Sequence, residues 1–165
     1  MKTTLNKIRA HGPCADGWQK LLAYLGKTKA DDEDLPILTI LNSNGLDDAL
    51  WCLRAVDGHD KEMRLYAVWC ARQVQHLMTD QRSIDAIDVA ERFANGEATT
   101  DELISTRDAA SDARVAAWTA AAGAATLAAA WATASDARFA AWDAAKAAAR
   151  EKQEKKFREI LEACK

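Results

Sequence analysis

This sequence has no CxxC pair, no run of about 18 apolar residues, no surplus of positive charge and no stretch in which apolar and polar residues alternate. Each absence excludes something. Cys14, Cys52, Cys70 and Cys164 are far apart, and Cys52 and Cys70 sit among apolar neighbours. A disulfide framework and a zinc site therefore give way to buried free thiols in a reducing compartment. No segment is apolar for long enough to span a membrane, since even the alanine-rich part is broken by Asp112, Arg114, Asp136, Arg138 and Asp143. The first residues, Met1-Lys2-Thr3-Thr4-Leu5-Asn6-Lys7, lack the apolar core of a secretion signal, so the expectation is a soluble, cytoplasmic protein. A net charge of -3 gives no field for tracking a nucleic-acid polymer.

Without strand alternation, every apolar series fits the helical period, and the expected fold class is all-α, a multi-helix bundle. At 165 residues the chain has the size of a single domain, read as an N-terminal helical part over 1–98 and an alanine- and tryptophan-rich helical region over 99–165. Thr3 or Thr4 caps a first helix that stops at Gly12-Pro13. Trp18, Leu21, Leu22 and Leu25 mark a second one, ended by Gly26. The acidic run Asp31-Asp32-Glu33-Asp34 precedes Pro36 in a helical first turn and reads as helix-start chemistry before it reads as a cation site. Asn42-Ser43-Asn44-Gly45 closes the next helix, and Leu46 to Val56 forms another, ended at Asp57-Gly58. Beyond it, Met63, Tyr66, Ala67, Cys70, Val74 and Leu77 make an apolar stripe facing a core, and a helix from about Ser83 to Ala94 ends at Asn95-Gly96. Thr99-Thr100-Asp101-Glu102 is a capping box.

What the chain has in excess is alanine. More than half of residues 109–149 are alanine, and Ser111-Asp112-Ala113-Arg114-Val115-Ala116-Ala117-Trp118 recurs as Ser135-Asp136-Ala137-Arg138-Phe139-Ala140-Ala141-Trp142. So much alanine favours helix. Trp131, Ser135, Arg138 and Trp142 fall on one helical stripe, which Arg107, Ser111, Arg114 and Trp118 reproduce. On one unbroken helix the two stripes would diverge by about 120°. Gly123 is the place where a turn would bring them to one side, so both a long helix and a helical hairpin stand open. One reading of the tryptophans is core, filling gaps between closely spaced alanine helices. The other is a binding face: Trp118, Trp131 and Trp142 as stacking surfaces, with Arg114 and Arg138 as forked donors to an anionic, nucleotide-type ligand. The tail from Lys146 to Lys165 interleaves basic residues with Glu151, Glu154, Glu159 and Glu162 and reads as a solvated helix with salt-bridge pairs.

A second candidate patch gathers Trp51, Arg54, Asp57, His59, Asp60 and Arg64 around Gly58. A histidine near carboxylates suits acid–base work, yet no nucleophile, oxyanion site or complete metal set accompanies it. Two neighbouring charged helix ends account for it equally. His11 and His76 stand alone and read as helix-end residues. No cofactor or metal is expected, and no catalytic role.

Three segments carry a resemblance that spacing does not supply. Ile40-Leu41-Asn42-Ser43-Asn44-Gly45-Leu46-Asp47-Asp48-Ala49-Leu50-Trp51-Cys52-Leu53-Arg54-Ala55-Val56, then Arg64-Leu65-Tyr66-Ala67-Val68-Trp69-Cys70-Ala71-Arg72, then Ala90-Glu91-Arg92-Phe93-Ala94-Asn95-Gly96-Glu97-Ala98-Thr99 resemble stretches of alanine-rich phage and prophage proteins labelled as immunity proteins. The Ala/Trp/Arg/Asp tract is similar too. The resemblance implies a place in the conflict between phage and bacterium and brings no catalytic motif with it. The function expected is that of a non-catalytic counter-defence protein that sequesters a nucleotide-derived bacterial immune signal or blocks a defence protein. An immunity protein that occludes a toxin and an enzyme that degrades a signal nucleotide are the alternatives. A homo-oligomer, built through the alanine-rich helices, is expected because alanine permits close approach of a second copy.

Overall fold

The structure, a computed structural model, describes residues 1–73, 75–78, 80–110 and 135–164, with side chains throughout except at 77 and 135–145. It is mostly helical, as the period of the apolar residues predicts. Contacts divide the chain into two compact units, Met1–Asp60 with Glu154–Lys165, and Lys61–Gln153.

The first unit opens with β1 (Lys2–Thr3), paired antiparallel with β2 (Leu35–Pro36) in the register Lys2 to Pro36 and Thr3 to Leu35. This bridge departs from the strand-free expectation, and it moves Pro36 from the first helical turn to the residue just before it, at φ -63 and ψ 136. Its cause is local. Pro36 has no N–H to place in a ladder, Ile37 N donates instead to Met1 O at 3.2 Å, and Asn6 N donates to Asp31 O at 3.0 Å. Thr3 is buried, with its hydroxyl donating to Ala55 O at 2.5 Å.

Four helices of this unit follow the expected punctuation. Thr4 caps α1 (Leu5–Ala10) by accepting from Lys7 N, and α2 (Ala15–Leu25) ends at Gly26, where Lys27 N donates back to Leu22 O at 2.9 Å. Helix α3 (Ile37–Asn44) meets α4 (Leu46–Cys52) at Gly45, whose φ of 93° is natural only to glycine. The expected helix to Val56 tightens instead into a 3₁₀ turn, Leu53–Ala55, and Val56 is extended. Leu5, Ile8, Leu21, Ile37, Ile40, Leu41, Leu46 and Ala49 form the core. The last turns of α8 (Ser135–Ala163) add Phe157 and Leu161, one turn apart and almost completely buried. This corrects the reading of the tail as a solvated helix. Its charges do occupy the outer face, where Arg158 pairs with Glu154 at 3.3 Å and donates to Asn42 Oδ1 at 2.8 Å, but an apolar stripe lies beneath them.

Fewer of the described residues of the second unit are buried. In α5 (Asp60–Arg72) Tyr66 and Val68 are buried while Ala67 is exposed, so the stripe expected from sequence is displaced. The helix also stops before Val74, which lies outside the described residues, and Gln75–Leu77 is a separate 3₁₀ turn. Helix α6 (Gln81–Ala94), capped by Asp80, buries Ile87. Arg72 joins the two helices, reaching Asp88 at 2.8 Å and Glu91 at 2.5 Å. Half-exposed pairs of this sort contribute about 1 kcal/mol or less each. The capping box starts α7, described over 100–110: Glu102 N donates to Thr99 Oγ1 at 3.2 Å, and Thr99 N donates to Glu102 at 2.8 Å. Tyr66 donates to Gln153 O at 3.2 Å, tying α5 to α8.

Phe157→Ala is expected to lower stability by about 3–5 kcal/mol, the range for emptying a fully buried phenyl site. Thr3→Val should cost about 1–3 kcal/mol, because it leaves the buried Ala55 carbonyl without its donor. Urea unfolding followed by circular dichroism reads both; midpoints unchanged from the parent would contradict the burial of these side chains.

Candidate functional site

Helix α2 lies across the end of α3 and the start of α4, and one residue sets how closely. A Cβ on Gly17 would come within 2.8 Å of Asp48 Oδ2 and 3.1 Å of Cys14 Sγ, so only glycine fits without displacing a neighbour. At this crossing Asn44 Nδ2 donates to Gly17 O at 2.8 Å and to Asp48 Oδ2 at 2.7 Å, while Ser43 Oγ donates to Asn44 Oδ1 at 2.7 Å. Asn44 thus links all three helices through one side chain.

Beside the crossing is a pocket of about 130 Å³. Ile8, Leu21 and Ile40 supply its aliphatic wall, Trp18 and Trp51 its aromatic one, and Asn44, Asp48, Cys14 and Cys52 its polar end. Burial pushes the Cys52 thiol up to about 12, with the negative charge of Asp48 adding to the effect and Arg54 opposing it. A thiol so held is a neutral packing group and not a nucleophile near neutral pH. The Arg54 guanidinium lies 4.4 Å from the centre of the Trp51 ring, and its Nε donates to Trp51 O at 2.9 Å, which steadies that wall.

The patch read around Gly58 resolves into separate partnerships. Trp51 and Arg54 stack on each other, whereas Asp57 binds Lys7 at 2.8 Å, a contact that lowers the carboxyl and raises the amine. Arg64 stacks on Phe93 at 4.8 Å. His59 lines a wider recess of about 580 Å³ with Met1, Leu38, Asn42, Leu161 and Cys164, and Asp60 begins α5 at the surface. The acidic run is likewise engaged: Lys27 reaches Asp31 at 2.5 Å and Glu33 at 2.7 Å, and Lys2 reaches Asp34 at 3.0 Å. Asp31 is held below the usual carboxylate range by its hydrogen bond to Lys27.

Of the residues in the repeated stripe, Arg114, Trp118 and Trp131 lie outside the described residues, as does Gly123. Arg138 and Trp142 are on α8, within the part whose side chains are not described. Among the pocket residues, Trp18 and Asn44 were legible only as a helix-face residue and part of a stop signal, and Asp48 only within the resemblance segment. A sequence signal was nonetheless present: Asp48 and Trp51 stand three residues apart on α4, where helical geometry places side chains together.

Two outcomes of thiol chemistry follow. At pH 8 only about one Cys52 in ten thousand would be thiolate with a value near 12, so iodoacetamide should modify exposed Cys14 in the folded protein and reach Cys52 only after unfolding. Peptide mass spectrometry distinguishes the two sites, and equal labelling would refute the burial. Because the folded value is raised, the contribution of Cys52 to stability is complete below its ordinary 9.0 and is lost as pH climbs from there toward 12; a Cys52→Ala variant should lack this part of the alkaline decline.

No protein-family model, curated protein or solved structure matches this chain.

Proposed function

We propose that this is a non-catalytic binding protein of the phage counter-defence kind, which sequesters a nucleotide-derived bacterial immune signal by taking up its base. The observation that carries the reading is the pocket beside Gly17, with two tryptophans in its wall and a polar end formed by Asn44 and Asp48. Pockets that bind small molecules are mostly apolar with a few placed polar groups, and this one has that composition. Its size admits one ring and leaves the phosphates in solvent. No described helix is long and apolar enough to cross a membrane, which fits a ligand met in solution. Self-association through the alanine-rich stretch belongs to the same proposal, and light scattering decides it by the mass found at tens of micromolar.

The test is to express the protein in bacteria beside their defence systems and to identify what it retains. An intact nucleotide released on denaturation supports sequestration. A chemically altered nucleotide indicates an enzyme, and a co-purified defence protein or toxin with no small molecule indicates a blocker. Trp18→Leu preserves apolar bulk but removes a stacking face, and it should weaken binding of the retained nucleotide by about five- to a hundredfold, the equivalent of 1–3 kcal/mol per stacked base. If the repeated Arg/Trp stripe is instead the binding face, Arg114→Ala and Arg138→Ala should each weaken binding with little effect on melting temperature. Unchanged affinity in all three, measured by calorimetry, would dismiss nucleotide sequestration.

A further inference from the structure

The pocket beside Gly17 does more than accept a ring; its chemistry discriminates between rings. A cavity of about 150 Å³ holds one benzene molecule, so the 130 Å³ here suits a single six-membered ring and no fused or branched body beyond it. Hydrogen-bonding capacity at the polar end is already partly spent. Both amide hydrogens of Asn44 are committed, one to Gly17 O and one to Asp48 Oδ2, and its oxygen accepts from Ser43. Asp48 is the unspent group: a carboxylate has about four acceptor positions, and Asn44 occupies one. None of the residues lining the pocket is cationic. The guanidinium of Arg54 lies on the Trp51 ring and is exposed to solvent.

An anion entering the pocket therefore meets a carboxylate without a counter-charge, and a hydrogen-bond acceptor meets another acceptor. A ring with an N–H donor meets the reverse. Its donor reaches Asp48 with charge assistance, and its face lies against indoles, which also attract positive charge.

Resting on the reading of this pocket as the ligand site, we infer that it selects a planar six-membered ring bearing an amino or amidinium group, placed with that group on Asp48 and its face against Trp18 and Trp51. An exocyclic amine on a six-membered nucleobase is one member of the class. Neutral unsubstituted rings bind more weakly, and ring carboxylates are rejected.

Three probes of one size make the test: benzamidine, toluene and benzoate, titrated separately into the full-length protein while the tryptophan indole and Gly17 signals are followed by NMR. Benzamidine is expected to shift the Trp18, Trp51 and Gly17 signals and to bind about tenfold more tightly than toluene and more tightly still than benzoate. Nuclear Overhauser contacts should connect its ring protons to both indoles in the unaltered protein, so the conclusion does not hang on any variant. In Asp48→Asn the benzamidine preference should shrink to about threefold or less. Benzoate binding as tightly as benzamidine, or toluene equalling it, overturns the inference while leaving the pocket a ligand site. Failure of all three to shift these signals at tens of millimolar overturns the inference together with the pocket reading beneath it.

Discussion

A single amide nitrogen fixes the geometry on which the first unit's pocket depends. Asn44 Nδ2 divides its hydrogens between a backbone carbonyl on α2 and a carboxylate on α4, while Asn44 itself ends α3. Three helices are thereby held at one point, and Gly17 makes the approach possible because any larger residue would collide with the carboxylate that Asn44 holds. With both donors committed, the side chain cannot rotate without leaving a partly buried carbonyl and a carboxylate unsatisfied, a loss of about 1–3 kcal/mol at each. The tryptophan walls stand on this frame: Trp18 follows Gly17 directly, and Trp51 follows Asp48 by most of a turn.

Elsewhere the chain disposes of charge by short-range pairing. Lys27 closes the acidic loop before β2, Lys7 holds Asp57, and Arg72 spans α5 and α6. These contacts are mostly exposed and add modest stability, but they fix loop geometry and take up acids that would otherwise invite a cation. The carboxylate of Asp48 differs in what surrounds it: an amide, thiols and aromatic rings in place of a lysine. A charge with that company is available to a ligand in a way that the paired acids are not.

Punctuation was the most legible part of the sequence. Gly12, Gly26, Gly45, Gly58 and Gly96 all have positive φ and all stand at element boundaries, and the Thr99–Glu102 capping box has both of its reciprocal hydrogen bonds. These features are local, so a few adjacent residues suffice to specify them. Burial was harder to read because it depends on partners distant in sequence. Nothing near Phe157 reveals that it will be covered, and a flanking run of lysines and glutamates masks it. For the same reason β1 and β2, two residues each and more than thirty positions apart, leave no alternation to detect. The pocket drew its residues from four helices, and only Trp51 among its aromatic and polar members stood out beforehand.

The first unit is completed by Glu154–Lys165, residues that follow all of the second unit along the chain. A ribosome delivers them after all the rest of both units. Until they are made, Leu5, Ile8 and Ile40 have been synthesised but their core lacks Phe157 and Leu161. At about 5–20 residues per second, the N-terminal helices wait several seconds for their final turn. The core of the first unit is therefore finished only when a segment that follows the second unit in sequence has been made.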